Sequence, residues 1–264
     1  MLKQRIITAL LLAPVLLAIV IYGTALWMAV LVAVIQVAAT WEWLKINQLK
    51  SPLAFLNAVM ITILTLWLYH QNLLALQPLI ITYVVIWLMA LLWLLNYRWG
   101  QANSTAEVLI KGILGVIAIM IFAISLLALH ARESGQWWTL SVFILIWVAD
   151  IGAYVSGKTL GKHKLAINIS PGKTWEGVIG AQLFVAIYAL VLSQLMNLPW
   201  WSTMLAMMVI ALFSVVGDLT ASLGKRQAGV KDSSGLLPGH GGFIDRFDSL
   251  IAAAPLFHYA LSWL

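Results

Sequence analysis

What most constrains this chain is a ninefold alternation of apolar stretches with short polar connectors, the stretches lying near residues 5–22, 24–43, 53–70, 76–95, 107–129, 137–156, 175–196, 200–222 and 243–264. A helix rises ~1.5 Å per residue, so about 20 apolar residues cross a ~30 Å hydrocarbon core. Lipid offers no partners to backbone N–H and C=O groups, and a helix satisfies them within each stretch. With 63% hydrophobic and 9% charged residues and a mean hydropathy of +0.99, the chain lies outside the soluble globular class. The expected fold is an all-α polytopic membrane protein of about nine transmembrane helices. The first stretch follows Lys3 and Arg5 in the manner of a signal peptide, but a second begins just after Gly23 and no small-residue cleavage site intervenes. It reads as a retained helix. The absence of cysteine removes disulfide frameworks and thiolate metal sites.

The basic residues orient the bundle. Nine spans with a cytoplasmic N-terminus put Lys3, Arg5, Lys45, Lys50, Arg98, Lys111, Lys158, Lys162, Lys164, Lys173, Lys225, Arg226, Lys231 and Arg246 on the cytoplasmic side and leave Arg132 alone on the other. That asymmetry is the positive-inside pattern, and a wrong span count would scramble it. The C-terminus is then expected on the opposite side. Five spans fall in residues 1–136 and four in a catalytic region, 137–264, whose cytoplasmic loops are 157–174 and 223–242. The net charge of +6 reflects this topology and contact with anionic headgroups, and nothing resembles a nucleic-acid surface.

The chemistry concentrates between Ser222 and Leu250, where charges, glycines and one histidine interrupt the hydrocarbon. Asp218, Asp245 and Asp248, with Asp150 a weaker candidate, submerge carboxylates near one membrane face. Each is costly there unless partnered, by ~2.5–3.5 kcal/mol even on a lenient insertion scale. Asp245 and Asp248 are three residues apart and share a helix face, as do Asp218, Ser222 and Lys225. The competing reading is plain ion pairing with neighbouring Lys and Arg inside the bundle. A divalent cation answers the clustering better, because Mg²⁺ favours one or two carboxylates together with substrate phosphates. Lys225, Arg226, Lys231 and Arg246 can hold phosphate oxygens. The Gly239, His240, Gly241, Gly242 turn leads into a helix, and a helix N-terminus is an anion site. His240 is expected to bind phosphate or order the loop. Together these features imply a lipid-phosphate enzyme at a membrane surface.

A second polar block runs from Asp150 to Gly177. Lys158, Lys162, His163, Lys164 and Lys173 make a cationic patch, and Gly152, Ala153, Ser156 and Gly157 suit close helix packing. Ser170 and Pro171 read as the N-cap and first turn of the next helix, with Lys173 where an incoming phosphate would meet it. Should the Gly239–Gly242 turn be a mere connector, the phosphate cradle falls to this block.

These two blocks resemble the phosphatidate cytidylyltransferase (CDP-diacylglycerol synthase) family. The resemblance rests on Ser222, Lys225–Arg226, Lys231–Asp232, the Pro238-Gly239-His240-Gly241-Gly242 run and Asp245-Arg246-Phe247-Asp248, with GKHKL and SPGKTWEG upstream. It covers residues 150–250 specifically. Gly224 and Ile151 depart from the usual pattern, which prefers a larger apolar residue at the first and a small or hydroxyl residue at the second. The resemblance implies transfer of CMP from CTP to phosphatidic acid, yielding CDP-diacylglycerol and pyrophosphate, with Mg²⁺ as cofactor. Metal ligation falls to Asp218, Asp245 and Asp248. Lys225 and Arg226 join them as catalytic residues. Substrate phosphates fall to Lys173, Lys231, Arg246 and the glycine turn. It also implies residence in a bacterial cytoplasmic membrane with the site facing the cytoplasm, and a homodimer is compatible with it. Competing classes are a polyprenol kinase, a cytidylyltransferase for a different lipid phosphate, and a secondary transporter. The last fits poorly, since no repeat relates the two halves and the polar groups crowd one face.

Overall fold

The computed structural model describes residues 2–73, 76–101 and 104–264, with side chains of residues 2–7, 9, 76 and 77 left aside. Among these residues the chain forms α1 (Leu2–Tyr22), α2 (Ala25–Ile46), α3 (Ser51–His70), α4 (Leu76–Leu95), α5 (Thr105–His130), α6 (Gly135–Leu160), β1 (Lys164–Ala166), β2 (Ser170–Thr174), α7 (Trp175–Leu195), α8 (Trp200–Gln227) and α9 (Ile244–Ala260). The expected all-α polytopic architecture is present. Among the described residues seven helices, α2 to α8, are long and apolar enough to cross a membrane. The polar connectors prove shorter than expected, because α6 runs on to Leu160 and α8 to Gln227.

The last helix differs from the span read in the sequence. α9 has 17 residues, about 26 Å, short of the hydrocarbon thickness. Its position explains the shortness: Ala252, Ala253, Ala254 and Phe257 have no exposed surface, so protein surrounds it and lipid thickness does not set its length. Tyr83 of α4 donates its hydroxyl to the Ala252 carbonyl, close to Pro255, which interrupts the α9 hydrogen-bond ladder.

α5 is the other central helix, buried almost continuously from Ala118 to Leu129. Its start is fixed by a capping box, Ser104 Oγ accepting from the Glu107 N–H and Glu107 accepting from the Ser104 N–H. Apolar side chains on the outer faces, among them Ile63, Trp67, Leu88, Ile179, Leu183 and Ile187, are exposed as a lipid-facing surface requires.

Small residues set the closest approaches. A Cβ on Gly180 of α7 would fall 1.8 Å from Ser156 Oγ of α6, so the stripe expected to pack closely does so. At Gly217 of α8 a Cβ would fall 2.6 Å from the Asp248 carbonyl oxygen and 2.7 Å from Ala252 Cβ of α9. The two backbones therefore touch where both helices carry an aspartate.

The reading of Ser170 and Pro171 as a helix start is corrected. Residues Ser170–Thr174 form β2, antiparallel to β1, and the N-cap of α7 is Thr174, whose Oγ1 accepts from the Gly177 N–H at 3.2 Å. Pro171 is tolerated because a two-stranded ribbon is all edge. Glu176, in the first turn of α7, reaches back to His163, with 2.6 Å between Oε1 and Nδ1, and locks the ribbon to the helix.

Candidate active site

Close contact of α8 with α9 brings Asp218 and Asp248 to one place. Asp218 accepts from Ser222 Oγ at 3.2 Å and pairs with Lys173, Nζ to Oδ2 2.6 Å. Lys173 arrives from β2, so the ribbon delivers a cation into the helix cluster. The Ser249 N–H donates to Asp248 Oδ1 at 2.7 Å. Asp248 is within electrostatic reach of Asp218, Lys225 and Lys173, and Asp150 of α6 is within reach of Asp218 and Lys173. Of the four carboxylates expected to cluster, Asp150, Asp218 and Asp248 gather around Lys173, while Asp245 pairs with Lys225.

Two cavities adjoin this cluster. One, of about 440 Å³, is the more polar of the two and carries Asp150, Lys158, Lys173, Thr174, Asp218 and Ser249 among smaller apolar groups. The other, of about 420 Å³, is lined by Trp43, Trp87, Ala90, Trp93, Ala118 and other apolar groups of α2, α4, α5, α8 and α9, with Asp248 on its wall and Glu107 and Lys111 also lining it. Gly217 and Asp248 border the apolar cavity, while their chain neighbours Asp218 and Ser249 border the polar one. Asp248 thus borders one cavity and Asp218 the other.

Asp245 and Lys225 do something else. Lys225 Nζ lies 2.5 Å from Asp245 Oδ1, with the two side chains only 10% and 8% exposed. The second carboxylate oxygen of Asp245 accepts from the Ser233 N–H at 2.9 Å, from Ser233 Oγ at 3.0 Å and from the Gly242 N–H at 2.9 Å. The competing ion-pair reading therefore describes this pair. Arg226 is exposed and donates to the carbonyls of Ile169 and Val230, tying α8 to the ribbon. Lys231 is exposed on the loop.

The glycine turn is held by its own backbone. The Leu237 N–H donates to the Gly241 carbonyl at 2.9 Å and the His240 N–H to the Leu237 carbonyl at 2.8 Å. Arg246 donates to the His240 carbonyl through Nε at 2.9 Å and a terminal nitrogen at 2.7 Å. Thr8 Oγ1 donates to the Pro238 carbonyl at 2.9 Å. Gly241 has a φ of +80° and a Cβ there would fall 2.6 Å from Asp245 Oδ2, so conformation and crowding both demand glycine. The Gly242, Phe243 and Ile244 N–H groups all donate to protein carboxylates. In this structure these three donors at the helix start are taken by Asp245 and Glu42. His240 Nδ1 is buried without a hydrogen-bond partner among the described residues.

Against known proteins, residues 3–264 match the model of the cytidylyltransferase family. The chain belongs to the cytidylyltransferase family. It is 36% identical to the phosphatidate cytidylyltransferase of Haemophilus influenzae, over 98% of both chains. It is 37% identical to that of Pseudomonas aeruginosa, over 100% of this chain and 97% of the relative. A Staphylococcus epidermidis phosphatidate cytidylyltransferase matches half of the chain at 42% identity.

In this cytidylyltransferase the two departures from pattern have local explanations. A Cβ on Gly224 would meet the Trp43 ring at 3.1 Å, so the indole of α2 occupies the room a larger residue would take. Ile151 is 55% exposed on the outside of α6 and does not face the cluster. Two contributors are not evident from the sequence. Lys158 reads there as part of a cationic patch and a marker of topology, yet it lines the polar cavity. Glu42 reads as an acid near a span end, yet it is wholly buried; the available signal is an acid inside an otherwise apolar stretch.

Proposed function

We propose that this cytidylyltransferase transfers CMP from CTP to phosphatidic acid, forming CDP-diacylglycerol and pyrophosphate. The observation that carries the reading is the placing of the two aspartates: Asp248 lines an apolar cavity, and Asp218 lines a second one that carries Asp150, Lys158 and Lys173. A two-tailed lipid must keep its chains out of water, since each buried CH₂ is worth ~0.8 kcal/mol. The apolar cavity holds tail near the headgroup, and the polar cavity holds the triphosphate, with Lys158 and Lys173 countering its charge. A phosphate oxygen of the lipid attacks the α-phosphorus of CTP, the new P–O bond forms as the bond to the β-phosphate oxygen breaks, and pyrophosphate leaves with that electron pair. No protein base is required, because a phosphate monoester with a second pKa near ~6 is largely dianionic at neutral pH. Catalysis is positioning with electrostatic stabilisation.

The donor set fits Mg²⁺. Among the described residues no three acidic or histidine side chains close into a cage, and Mg²⁺ takes one or two carboxylates with phosphates and water. Asp218 and Asp248 would hold it, with Asp150 nearby. Asp245 is the third candidate ligand, and like Asp218, which accepts from Ser222 and Lys173, it is held here by protein donors, namely Lys225, Ser233 and Gly242. When bound, the ion neutralises charge building on the phosphates. Lys173 already sits on Asp218 and orders the cluster in the meantime.

Incubation of purified protein with labelled CTP and phosphatidic acid tests the reading: CDP-lipid with pyrophosphate supports it, and phosphorylated lipid with CDP indicates a kinase. The proposal includes a bacterial inner membrane with the site facing the cytoplasm. Cysteine labelling of the cysteine-free chain should accordingly find the loops at Lys162 and Lys231 inside and Leu264 outside. A further expectation concerns the lipid cavity. Ala118→Phe partly fills it and should raise the KM for long-chain phosphatidic acid several-fold while leaving the KM for CTP unaltered. Equal effects on both substrates would place the lipid elsewhere.

A further inference from the structure

Glu42 lies on α2 with no exposed surface, and its carboxylate gathers the loop between α8 and α9 from across the bundle. Oε2 accepts from Ser233 Oγ at 2.7 Å and from the Ile244 N–H at 2.8 Å. Oε1 accepts from Ser234 Oγ at 2.5 Å and from the Phe243 N–H at 2.9 Å. A carboxylate offers about four acceptor positions, and these donors fill them. A buried acid is tolerable only when so satisfied.

The placement answers a need of α9. The first N–H groups of a helix lack intrahelical partners and carry partial positive charge. α9 begins with Phe243 at its N-cap, whose side chain makes no capping bond. Glu42 supplies the missing cap from a different helix. It also explains a motif glycine: a Cβ on Gly242 would fall 2.4 Å from Glu42 Oε1 and 2.1 Å from Ser233 Oγ. The turn is glycine at this position because a side chain from α2 fills the space. Asp248 lies one helical turn after Ile244, so whatever fixes the start of α9 also fixes the depth and rotation of that aspartate.

We propose that Glu42 is a positioning residue for the transfer reaction, holding the α8–α9 loop closed and the Asp248 carboxylate in register with Asp218. This rests on the reading of that aspartate pair as the place where the two substrates meet. A residue serving stability alone would lower the amount of folded protein and leave turnover per folded molecule intact. Misplacing a reacting group by about 1 Å costs up to ~10² in rate.

The test uses the full chain in detergent or nanodisc. Glu42→Gln keeps shape, removes the charge and presents an amide donor to groups that need an acceptor. The expected result is a kcat lowered ~10- to 100-fold per folded molecule, with KM for CTP and phosphatidic acid changed much less. A second readout does not depend on activity. Gly235 is exposed, with open space where a Cβ would lie, and the chain has no cysteine. A nitroxide on Gly235→Cys should therefore report loop motion, and its spectrum should narrow when Glu42→Gln is added. Unchanged kcat, or a loss matching the loss of folded protein with an unchanged spectrum, overturns the proposal. If Glu42→Gln fails to accumulate, Ser234→Ala removes a single donor: a several-fold fall in kcat with a narrower spectrum supports it, and wild-type behaviour in both overturns it. Absence of CDP-lipid formation by the wild-type protein would sink the functional reading instead, and the nitroxide would still decide whether Glu42 holds the loop.

Discussion

Asp248→Asn should lower kcat by ~10²–10³, the loss typical of removing one group that stabilises transition-state charge, while the protein folds as well as before or better. The two halves of this expectation have separate causes. Asp248 is enclosed where α8 and α9 touch and feels the like charge of Asp218, with Lys225 and Lys173 acting the other way, so neutralising it relieves the burial of a charge and keeps the shape. Asp218→Asn should lose turnover similarly. Its partner Lys173 then lacks an ion pair, and because the two side chains are half-buried, at 24% and 32% exposed, the loss falls between the ~0–1 kcal/mol of a surface pair and the about 3–5 kcal/mol of an enclosed one. Stability should accordingly fall modestly, and by less than the turnover loss. Initial rates at saturating CTP, beside thermal unfolding in the same detergent, separate the effects, and added Mg²⁺ should restore at most part of the rate. Near-normal turnover in both variants would return the pair to structural ion pairing with Lys173.

The helices are legible in the sequence because hydrocarbon thickness and backbone hydrogen bonding dictate stretches of one length. α9 shows the limit of that reasoning, since a helix surrounded by protein answers to its neighbours and not to lipid. The ribbon escapes a local reading for a related reason. Ser170-Pro171 satisfies local rules for a helix start, but pairing of Lys164 with Thr174 is a tertiary fact and moves the start to Trp175. Asp218, Asp248, Asp150 and Lys173 can be picked out because acids inside apolar stretches and cations beside them are conspicuous. Partner choice is not legible. Nothing in the spacing of Lys225, Asp245 and the glycine turn says that these groups satisfy one another, and Glu42 bonds Ser233 across 191 positions, beyond any local pattern.

Lys225→Met should be the most destabilising single change among the polar residues of this region. Lys225 and Asp245 are both nearly enclosed, and removing one partner of a buried pair costs about 3–5 kcal/mol, because the remaining charge is left without compensation. The consequence spreads, since Asp245 also orders Ser233 and Gly242 and so the turn leading into α9. A fall of roughly 10 °C in the unfolding midpoint follows from that energy for a chain of this size. Lys225→Arg, which retains the charge, should lose much less. Lys225→Met combined with Asp245→Leu should recover part of the stability by removing the orphaned charge, and only part, because the Ser233 and Gly242 donors then lack their acceptor. If Lys225 instead gripped a substrate phosphate, Lys225→Met would raise a KM and leave the midpoint alone. The two outcomes are read from one set of samples, and the 2.5 Å contact of Lys225 with Asp245 favours the first.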